Sequence, residues 1–131
     1  MNTGEVLAEL DRRMAEYDPE RIAALFAETV DWDIPGDTAT VPWIGKRTTR
    51  AEVRDFFVEL DRYLERNVYE VERTFVDGQH AVRTGHLRSR IRATDRWIET
   101  RFAIELTVTD GLITRYHLHE DSWHVADANR R

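Results

Sequence analysis

The stretch Trp97–Asp121, WIETRFAIELTVTDGLITRYHLHED, contains two strand patterns joined by one tight turn. In the first half, apolar and polar side chains alternate. The apolar set occupies the even positions Ile98, Phe102, Ile104, Leu106 and Val108. The Asp110-Gly111 pair is typical of a two-residue hairpin turn, so the second half is predicted to return antiparallel to the first. Because strand side chains point alternately to the two faces, the even-numbered residues are predicted to face a core.

The returning strand separates two groups of chemically useful side chains. Tyr116, Leu118 and Glu120 have the inward parity, whereas His117 and His119 have the outward one. A His-x-His pair can bind a metal ion, but neighbouring arginines on the same face disfavour a cation there. We therefore expect no metal site, and we expect Tyr116 and Glu120 to face the interior. Enclosure would raise the pKa of Glu120 towards the range useful for proton transfer.

Three helical patterns precede the strands. The first has an apolar stripe between Val6 and Met14. The second begins at Asp18-Pro19, a capping residue followed by a proline that suits the first helical position. The third begins after Thr49, and Glu52 stands at the spacing of a capping box.

Beyond residue 66 the pattern is strand only, with turn signals near Asp77-Gly78 and Thr94-Asp95 in addition to the turn already described. Helices followed by antiparallel hairpins predict an α+β fold, in which three N-terminal helices pack on a curved, mostly antiparallel sheet. Strands of about 12 residues are longer than the usual five or six. Curling around a helix, they would enclose a cone-shaped space within a single domain formed by residues 1–131.

Composition narrows the class of function. The chain has 131 residues and a formal net charge of −6, with 25 acidic residues against 19 Lys and Arg residues. Nucleic-acid binders need clustered basic residues, so we expect no nucleic-acid partner. Because the chain has no cysteine, disulfides, thiolate catalysis and thiolate metal sites are excluded. No signal-like segment or apolar run of about 18 residues occurs, so we expect a cytoplasmic protein without a membrane partner.

The strand pattern over residues 80–93 leaves its orientation open. If Val82 faces inward and the register holds, His86 enters the interior and Arg88 shares its face. A bulge near Gly85 would instead exchange the two faces midway. His86 is therefore a candidate catalytic residue, and Arg88 is a candidate substrate contact.

The string TVDWDIPG, residues 29–36, has the strand period and ends at a proline-glycine turn. Trp32 has its apolar parity, which would place Asp33 on the outer face. Asp33 nevertheless stands just before Pro35, where the strand can twist away from strict alternation, so it remains a candidate catalytic carboxylate. Trp43, in the following loop, is expected to form a wall or lid over the cavity.

The order of elements and several strings resemble the nuclear transport factor 2-like superfamily, in particular its SnoaL-like and ketosteroid isomerase-like branch. The resemblance spans nearly the whole chain and rests on the strings DPERIAALFAETVDWDIPG, VPWIGKRTTRAEVRDFF and TVTDGLITRYHLHEDS. It implies the cone fold and a homodimer. It identifies the reaction poorly, because the superfamily includes isomerases, polyketide cyclases, epoxide hydrolases, dehydratases and members without activity.

Only part of the family's machinery has a counterpart here. Asp33 falls where the resemblance places the general base of the isomerases. The positions of their oxyanion donors match Leu10 and Ile104, which cannot donate a hydrogen bond. The inward carboxylates of the epoxide hydrolases would fall at Phe102, Ile104 and Leu118. The resemblance therefore disfavours both of those reactions.

We expect a small enzyme that isomerises, cyclises or dehydrates a compact apolar, aromatic or polyketide-like molecule without a cofactor. Asp33 or Glu120 would act as acid or base, and His86, Tyr116 and Arg88 would stabilise developing negative charge. The other expected substrate contacts are Trp32, Trp43, Phe102 and Leu118.

The alternative is a non-catalytic ligand-binding or dimerisation module of the same fold. In either case we expect a homodimer through the outer sheet face. Ile91, Arg101, Ile113 and His117 are expected to give that face a mixed character that suits a partner.

Overall fold

The computed structural model describes every residue from Met1 to Arg131. Its elements, in chain order, are α1 (Thr3–Glu16), α2 (Pro19–Ala23), β1 (Phe26–Ile34), β2 (Gly45–Thr49), α3 (Arg50–Tyr63), β3 (Leu64–Asp77), β4 (His80–Ile91), β5 (Arg96–Thr109), β6 (Leu112–Glu120) and α4 (Ser122–Asn129). The strands form one sheet in the order β2-β1-β6-β5-β4-β3. Only β1 and β6 are parallel neighbours. The structure thus confirms the predicted α+β fold, with helices packed on a curved, mostly antiparallel sheet.

The helices begin where the sequence signals predicted. The Asp18 side chain accepts hydrogen bonds from the backbone of Glu20 and Arg21, and Pro19 is the first residue of α2. The Thr49 hydroxyl caps α3 by accepting from the backbone N–H of Glu52 at 3.2 Å. No helix has the length and apolar character that a membrane-spanning segment requires.

The alternation in β5 is also as predicted. Its even-numbered residues from Ile98 to Val108 are buried, and this defines the inner face of the sheet, on which α1 and α3 pack. The hairpin turn to β6 has Asp110 at φ 52° and Gly111 at φ 78°, the left-handed conformations that a tight two-residue turn uses. Tyr116 and Leu118 of β6 are buried on the inner face.

The start of β6 departs from the prediction. The register between β5 and β6 shifts after Val108, which pairs with Ile113, because Thr114 is an extra residue, as in a β-bulge. Ile113 is therefore fully buried in the core, and Ile91 of β4 is only 2% exposed. Neither isoleucine lies on the outer face, where the sequence pattern had placed them.

Two short elements were missed. Strand β2 occupies part of the segment that was expected to be a loop, and α4 makes a fourth helix at the C-terminal end. The Asp121 carboxylate caps α4 by accepting from the backbone N–H of His124 at 3.0 Å. Val125 and Ala126 of α4 are buried. With only eight residues, α4 has too few apolar positions for a helical period to stand out.

Candidate active site

A cavity of about 670 Å³ lies between the helices and the inner face of the sheet. Sixteen of its 24 lining residues are hydrophobic. The lining residues come mainly from α1, α3 and five of the six strands, all except β2. This volume is within the range of roughly 300–1,000 Å³ that is usual for small-molecule sites. The arrangement is suited to a compact, largely apolar ligand.

Glu120, the last residue of β6, lines this cavity. It pairs with Phe102 of β5, and no side-chain hydrogen bond stabilises its carboxylate. Burial, with a smaller contribution from the negative charge of Asp121, raises the pKa of Glu120 to about 7. A carboxyl group with this pKa exchanges protons readily near neutral pH, as a general acid or base must.

Tyr116 lies two positions before Leu118 on the same face of β6 and also lines the cavity. Its ring stacks on that of Trp32, with centroids 4.3 Å apart and an angle of 11° between the planes. Burial raises the pKa of Tyr116 well above its ordinary value. Its hydrogen bond with Tyr69 raises the pKa further, and the charge of Glu120 makes a smaller contribution. The hydroxyl therefore keeps its proton and can donate a hydrogen bond to a ligand oxygen.

Tyr69 of β3 also lines the cavity, and Gly85 leaves space for the backbone of Glu70 and for the Phe102 ring beneath Tyr69. The Tyr69 ring stacks on Phe102 with centroids 5.2 Å apart and an angle of 8°. A Cβ atom at position 85 would lie 2.7 Å from Cζ of Phe102 and 1.9 Å from the backbone oxygen of Glu70. Although Tyr69 is 40% exposed at the cavity mouth, burial of its hydroxyl end raises its pKa to about 12. The Tyr69 and Tyr116 hydroxyls lie close enough to affect each other's pKa.

The irregularity expected near Gly85 lies in the neighbouring strand. β4 pairs with β5 without any shift, so its side chains alternate strictly. In β3, Val71 pairs with Gly85 and Arg73 pairs with Thr84, which leaves Glu72 as the extra residue of a bulge.

Two predicted site residues on β4 therefore lie outside the cavity. Val82 is 40% exposed, whereas Arg83 is 5% exposed, so the parity of Val82 is the outer one. His86 shares that face and bonds through Nδ1 to the Glu72 carboxylate at 2.8 Å, which raises the pKa of His86. Arg88 lies with its guanidinium carbon 3.8 Å from the centre of the Trp97 ring. Placing these two residues in the cavity was wrong, because Val82 faces outward.

Asp33 is also outside the cavity wall. It pairs with Lys46 of β2 on one side and with His117 of β6 on the other, while its neighbours Trp32 and Ile34 are buried on the inner face. Strict alternation thus extends to the end of β1 and turns the carboxylate away from the interior. The expected twist before Pro35 is not sufficient to bring it in.

The remaining predicted contacts divide into two groups. Trp43 and Leu118 line the cavity, and Trp43 packs against Tyr63 with ring centroids 5.8 Å apart. Trp32 and Phe102 lie behind this wall, where they support Tyr116 and Tyr69 respectively. Trp32 and Phe102 therefore belong to the packed layer beneath the cavity and are not among the residues that line it.

The two histidines of β6 lie on the outer face, as the alternation predicted. His117 bonds through Nε2 to Asp31 at 2.7 Å, and His119 bonds through Nε2 to Glu105 at 2.8 Å. Each is paired with a separate carboxylate.

An ion pair in the cavity wall, in which only the arginine is buried, was missed by the sequence reasoning. The Arg83 guanidinium donates to both carboxylate oxygens of Asp11 on α1, at 2.8 Å and 2.6 Å. Both residues line the cavity. A signal was present for Asp11, which falls on the stripe of Leu7 and Leu10. None was present for Arg83, because its inward position follows from the outward position of Val82, which the sequence did not establish.

Comparison with solved structures shows the same fold at low sequence identity. An NTF2-like protein from Burkholderia thailandensis superposes with a TM-score of 0.87 at 21% identity, covering 100% of this chain and 99% of that one. A protein from Catenulispora acidiphila with a ketosteroid isomerase-like fold, solved with trimethylamine, gives a TM-score of 0.70 at 16% identity over 87% and 83% of the chains. A candidate SnoaL-like polyketide cyclase from Mesorhizobium loti gives a TM-score of 0.75 at 16% identity over 90% and 98%.

Curated proteins give no significant match to this chain. A family model, the SnoaL-like domain, matches residues 7–116, which include most elements of the cone and all of the cavity wall except Leu118 and Glu120. The chain therefore belongs to the SnoaL-like family of the nuclear transport factor 2-like superfamily.

Proposed function

We propose that this protein is an acid/base enzyme that isomerises, cyclises or dehydrates a compact apolar or polyketide-like substrate, with Glu120 as its proton-transferring group. The observation that carries the proposal is a carboxyl group with a pKa of about 7, without a side-chain partner, in the wall of a mostly apolar cavity. The likeness to a candidate polyketide cyclase supports the cyclisation branch of the proposal.

The chemistry begins with proton abstraction beside a carbonyl group. Ionised Glu120 takes a proton from the adjacent carbon, the C–H electron pair forms a carbon–carbon double bond, and the carbonyl oxygen takes the negative charge. The Tyr116 hydroxyl donates a hydrogen bond to that oxygen, with Tyr69 beside it. Because the surroundings are apolar, both effects are stronger than they would be in water.

The proton now on Glu120 has three possible destinations. Its return to another carbon gives an isomer. If the enolate carbon attacks a second carbonyl of the same molecule, a ring forms and the proton neutralises the new alkoxide. If a hydroxyl leaves from the neighbouring carbon, the proton leaves with it as water.

A deuterium-exchange assay tests the first step, which all three reactions share. The probe is 2-tetralone in D₂O, whose protons beside the carbonyl exchange at a rate that NMR follows directly. The wild-type protein is expected to accelerate exchange over buffer. Glu120→Gln should remove about 100-fold or more of that acceleration, as loss of a general base does.

The control for this assay is Glu28→Gln, which changes an exposed glutamate on β1. This variant should exchange the probe at the wild-type rate. Exchange no faster than in buffer, or equal acceleration by wild type and Glu120→Gln, would contradict the proposal.

A non-catalytic ligand-binding module is the second candidate, and the predominance of hydrophobic lining residues favours it. Such a module would bind aromatic ligands and show a higher melting temperature in their presence, since a ligand of the native state stabilises it. It would not accelerate deuterium exchange. Thermal shift and exchange measured on one sample therefore separate the two candidates.

We also propose that the protein forms a homodimer through the outer sheet face. Exposed hydrophobic side chains support this, namely Phe75 at 59%, Val82 at 40% and Trp97 at 40%. Phe75 and Val82 are paired neighbours, and the same face presents both acids and bases, which can pair across a twofold axis. Sedimentation equilibrium should give a mass of twice 15.4 kDa. Val82→Asp should shift the protein towards monomer, whereas a monomeric wild type would contradict this proposal.

A further inference from the structure

Arg83 is the only charged residue that is buried in the fold, with 5% of its surface exposed. Its partner Asp11 lies at the cavity edge with 51% of its side chain exposed. A buried arginine needs compensation for its lost hydration, and a half-exposed carboxylate supplies only part of it. Attaching α1 to the sheet through Arg83 therefore costs desolvation free energy that the contact with Asp11 does not fully offset.

Two hydrogen-bond donors of Arg83 have no protein partner. A guanidinium group has five N–H bonds. One from each terminal nitrogen goes to Asp11, and Nε donates to the Thr74 hydroxyl at 3.1 Å. One N–H on each terminal nitrogen remains, on a side chain that lines the cavity.

Two tyrosine hydroxyls lie in the field of this guanidinium. The positive charge of Arg83 acts on both Tyr69 and Tyr116. Neither hydroxyl donates to a backbone or carboxylate oxygen of the protein. Arg83, Tyr69 and Tyr116 thus form a cluster of donors in one part of a mostly hydrophobic cavity. Asp11 and Thr74 occupy three of the guanidinium N–H bonds, and the two hydroxyls hydrogen-bond to each other. Two guanidinium N–H bonds and one hydroxyl therefore remain available to a ligand.

We propose that this cluster is a subsite for an anionic oxygen, and that the substrate is a compact aromatic molecule carrying a carboxylate, phenolate or enolate. An anionic oxygen satisfies the free guanidinium donors and one hydroxyl with charge-assisted hydrogen bonds. The inference rests on the proposed function for its use of the same cavity, and it names the class of substrate that the cavity selects.

The sheet register separates the subsite from Glu120. Arg83 pairs with Ile104, Ile104 pairs with Leu118, and Glu120 is two residues farther along β6. Two strand spacings and two residue steps put the Arg83 and Glu120 backbones about 12 Å apart. One ligand can therefore present its acidic oxygen to Arg83 and a different atom to Glu120.

A matched pair of ligands tests the subsite without turnover. 2-Naphthoate and 2-acetylnaphthalene have the same ring system and nearly the same shape, but only the first is charged. At pH 6, below the pKa of about 7 of Glu120, calorimetry should show wild type binding 2-naphthoate roughly 10- to 100-fold more tightly, the worth of a charge-assisted hydrogen bond. Equal affinities for the two ligands would overturn the inference.

Two variants test whether the preference for 2-naphthoate over 2-acetylnaphthalene depends on Arg83. Arg83→Met should abolish it by lowering the affinity for 2-naphthoate far more than that for 2-acetylnaphthalene. Retained binding of 2-acetylnaphthalene also reports that the cavity is intact. Arg90→Met removes the same charge from the outer face of β4, where Arg90 pairs with Glu65, and it should keep the preference. A preference that survives Arg83→Met, or that is lost in Arg90→Met, would contradict the assignment.

Tyr69→Phe keeps the test decisive if Arg83→Met does not fold. This change removes one hydroxyl and retains the ring on Phe102, so affinity for 2-naphthoate should fall roughly 3- to 10-fold. No change in that affinity would count against the cluster.

Glu120→Gln separates this inference from the proposed function. It should keep the preference for 2-naphthoate, because Glu120 is not part of the subsite. If the preference is measured but no variant affects deuterium exchange, only the proposed reaction fails. If exchange depends on Glu120 but the two naphthalenes bind equally, only the anion subsite fails.

Discussion

Replacing Glu120 with glutamine should change stability by an amount that depends on pH. The native pKa of about 7 lies above the ordinary value of 4.5, so the native state binds the proton more tightly than the unfolded state. As pH rises from 4.5 to 7, the unfolded state loses its proton first, and the wild type loses stability. Glutamine cannot ionise, so the variant does not have this loss.

The size of the effect follows from the difference in pKa. A rise from 4.5 to about 7 corresponds to about 3 kcal/mol once Glu120 is fully ionised. The variant and the wild type should have equal free energies of unfolding near pH 4, where both side chains are neutral. At pH 8 the variant should be the more stable protein by up to that amount.

Urea unfolding at several pH values between 4 and 8 measures this difference directly. The control variant Glu28→Gln changes an exposed glutamate and should differ from wild type by the same small amount at every pH. A Glu120→Gln difference that does not grow with pH would refute the reasoning, because it would mean that Glu120 is not desolvated in the native state.

Three further changes test neighbouring features. Asp121→Asn keeps the helix cap but removes a negative charge near Glu120, so the pKa of Glu120 should fall. The pH-dependent loss of stability should then shift to lower pH, and an unchanged unfolding profile would contradict this. Gly85→Ala forces a Cβ into the backbone oxygen of Glu70 and should cost at least about 2 kcal/mol in urea unfolding, and a neutral result would contradict the bulge geometry. His86→Gln lies on the outer face and should leave the thermal shift produced by 2-acetylnaphthalene unchanged, whereas loss of that shift would place His86 in the cavity after all.

The hairpin of β5 and β6 could be predicted from the sequence because one face of β5 packs against the core and the other is exposed to solvent. In that situation each residue's polarity reports its face, and the register fixes Tyr116 and Glu120 on the inner side. The same reasoning failed at Ile113. The extra residue Thr114 reverses which face Ile113 points to, and nothing in the alternation of polar and apolar residues indicates that a residue is extra.

The rest of the site depends on contacts between distant segments. Asp11 and Arg83 lie 72 positions apart, and each of them alone resembles a surface residue. β4 carries polar residues on both faces, so polarity did not distinguish the inner face from the outer one. His86 and Arg88 were candidates on the condition that Val82 faces inward, and the structure does not meet that condition. Tyr69 could not be assigned either, since β3 has register shifts on both sides of it and its stacking partner Phe102 lies on a different strand.

The measurement that tests the central claim most directly is an NMR titration of the Glu120 side-chain carboxyl carbon, assigned by its absence in Glu120→Gln. A cavity-facing carboxyl group that transfers protons should titrate with a midpoint near 7. That midpoint should also move when 2-naphthoate is bound. A midpoint near the ordinary value of 4.5, unaffected by ligand, would show that Glu120 is in water and would contradict the account.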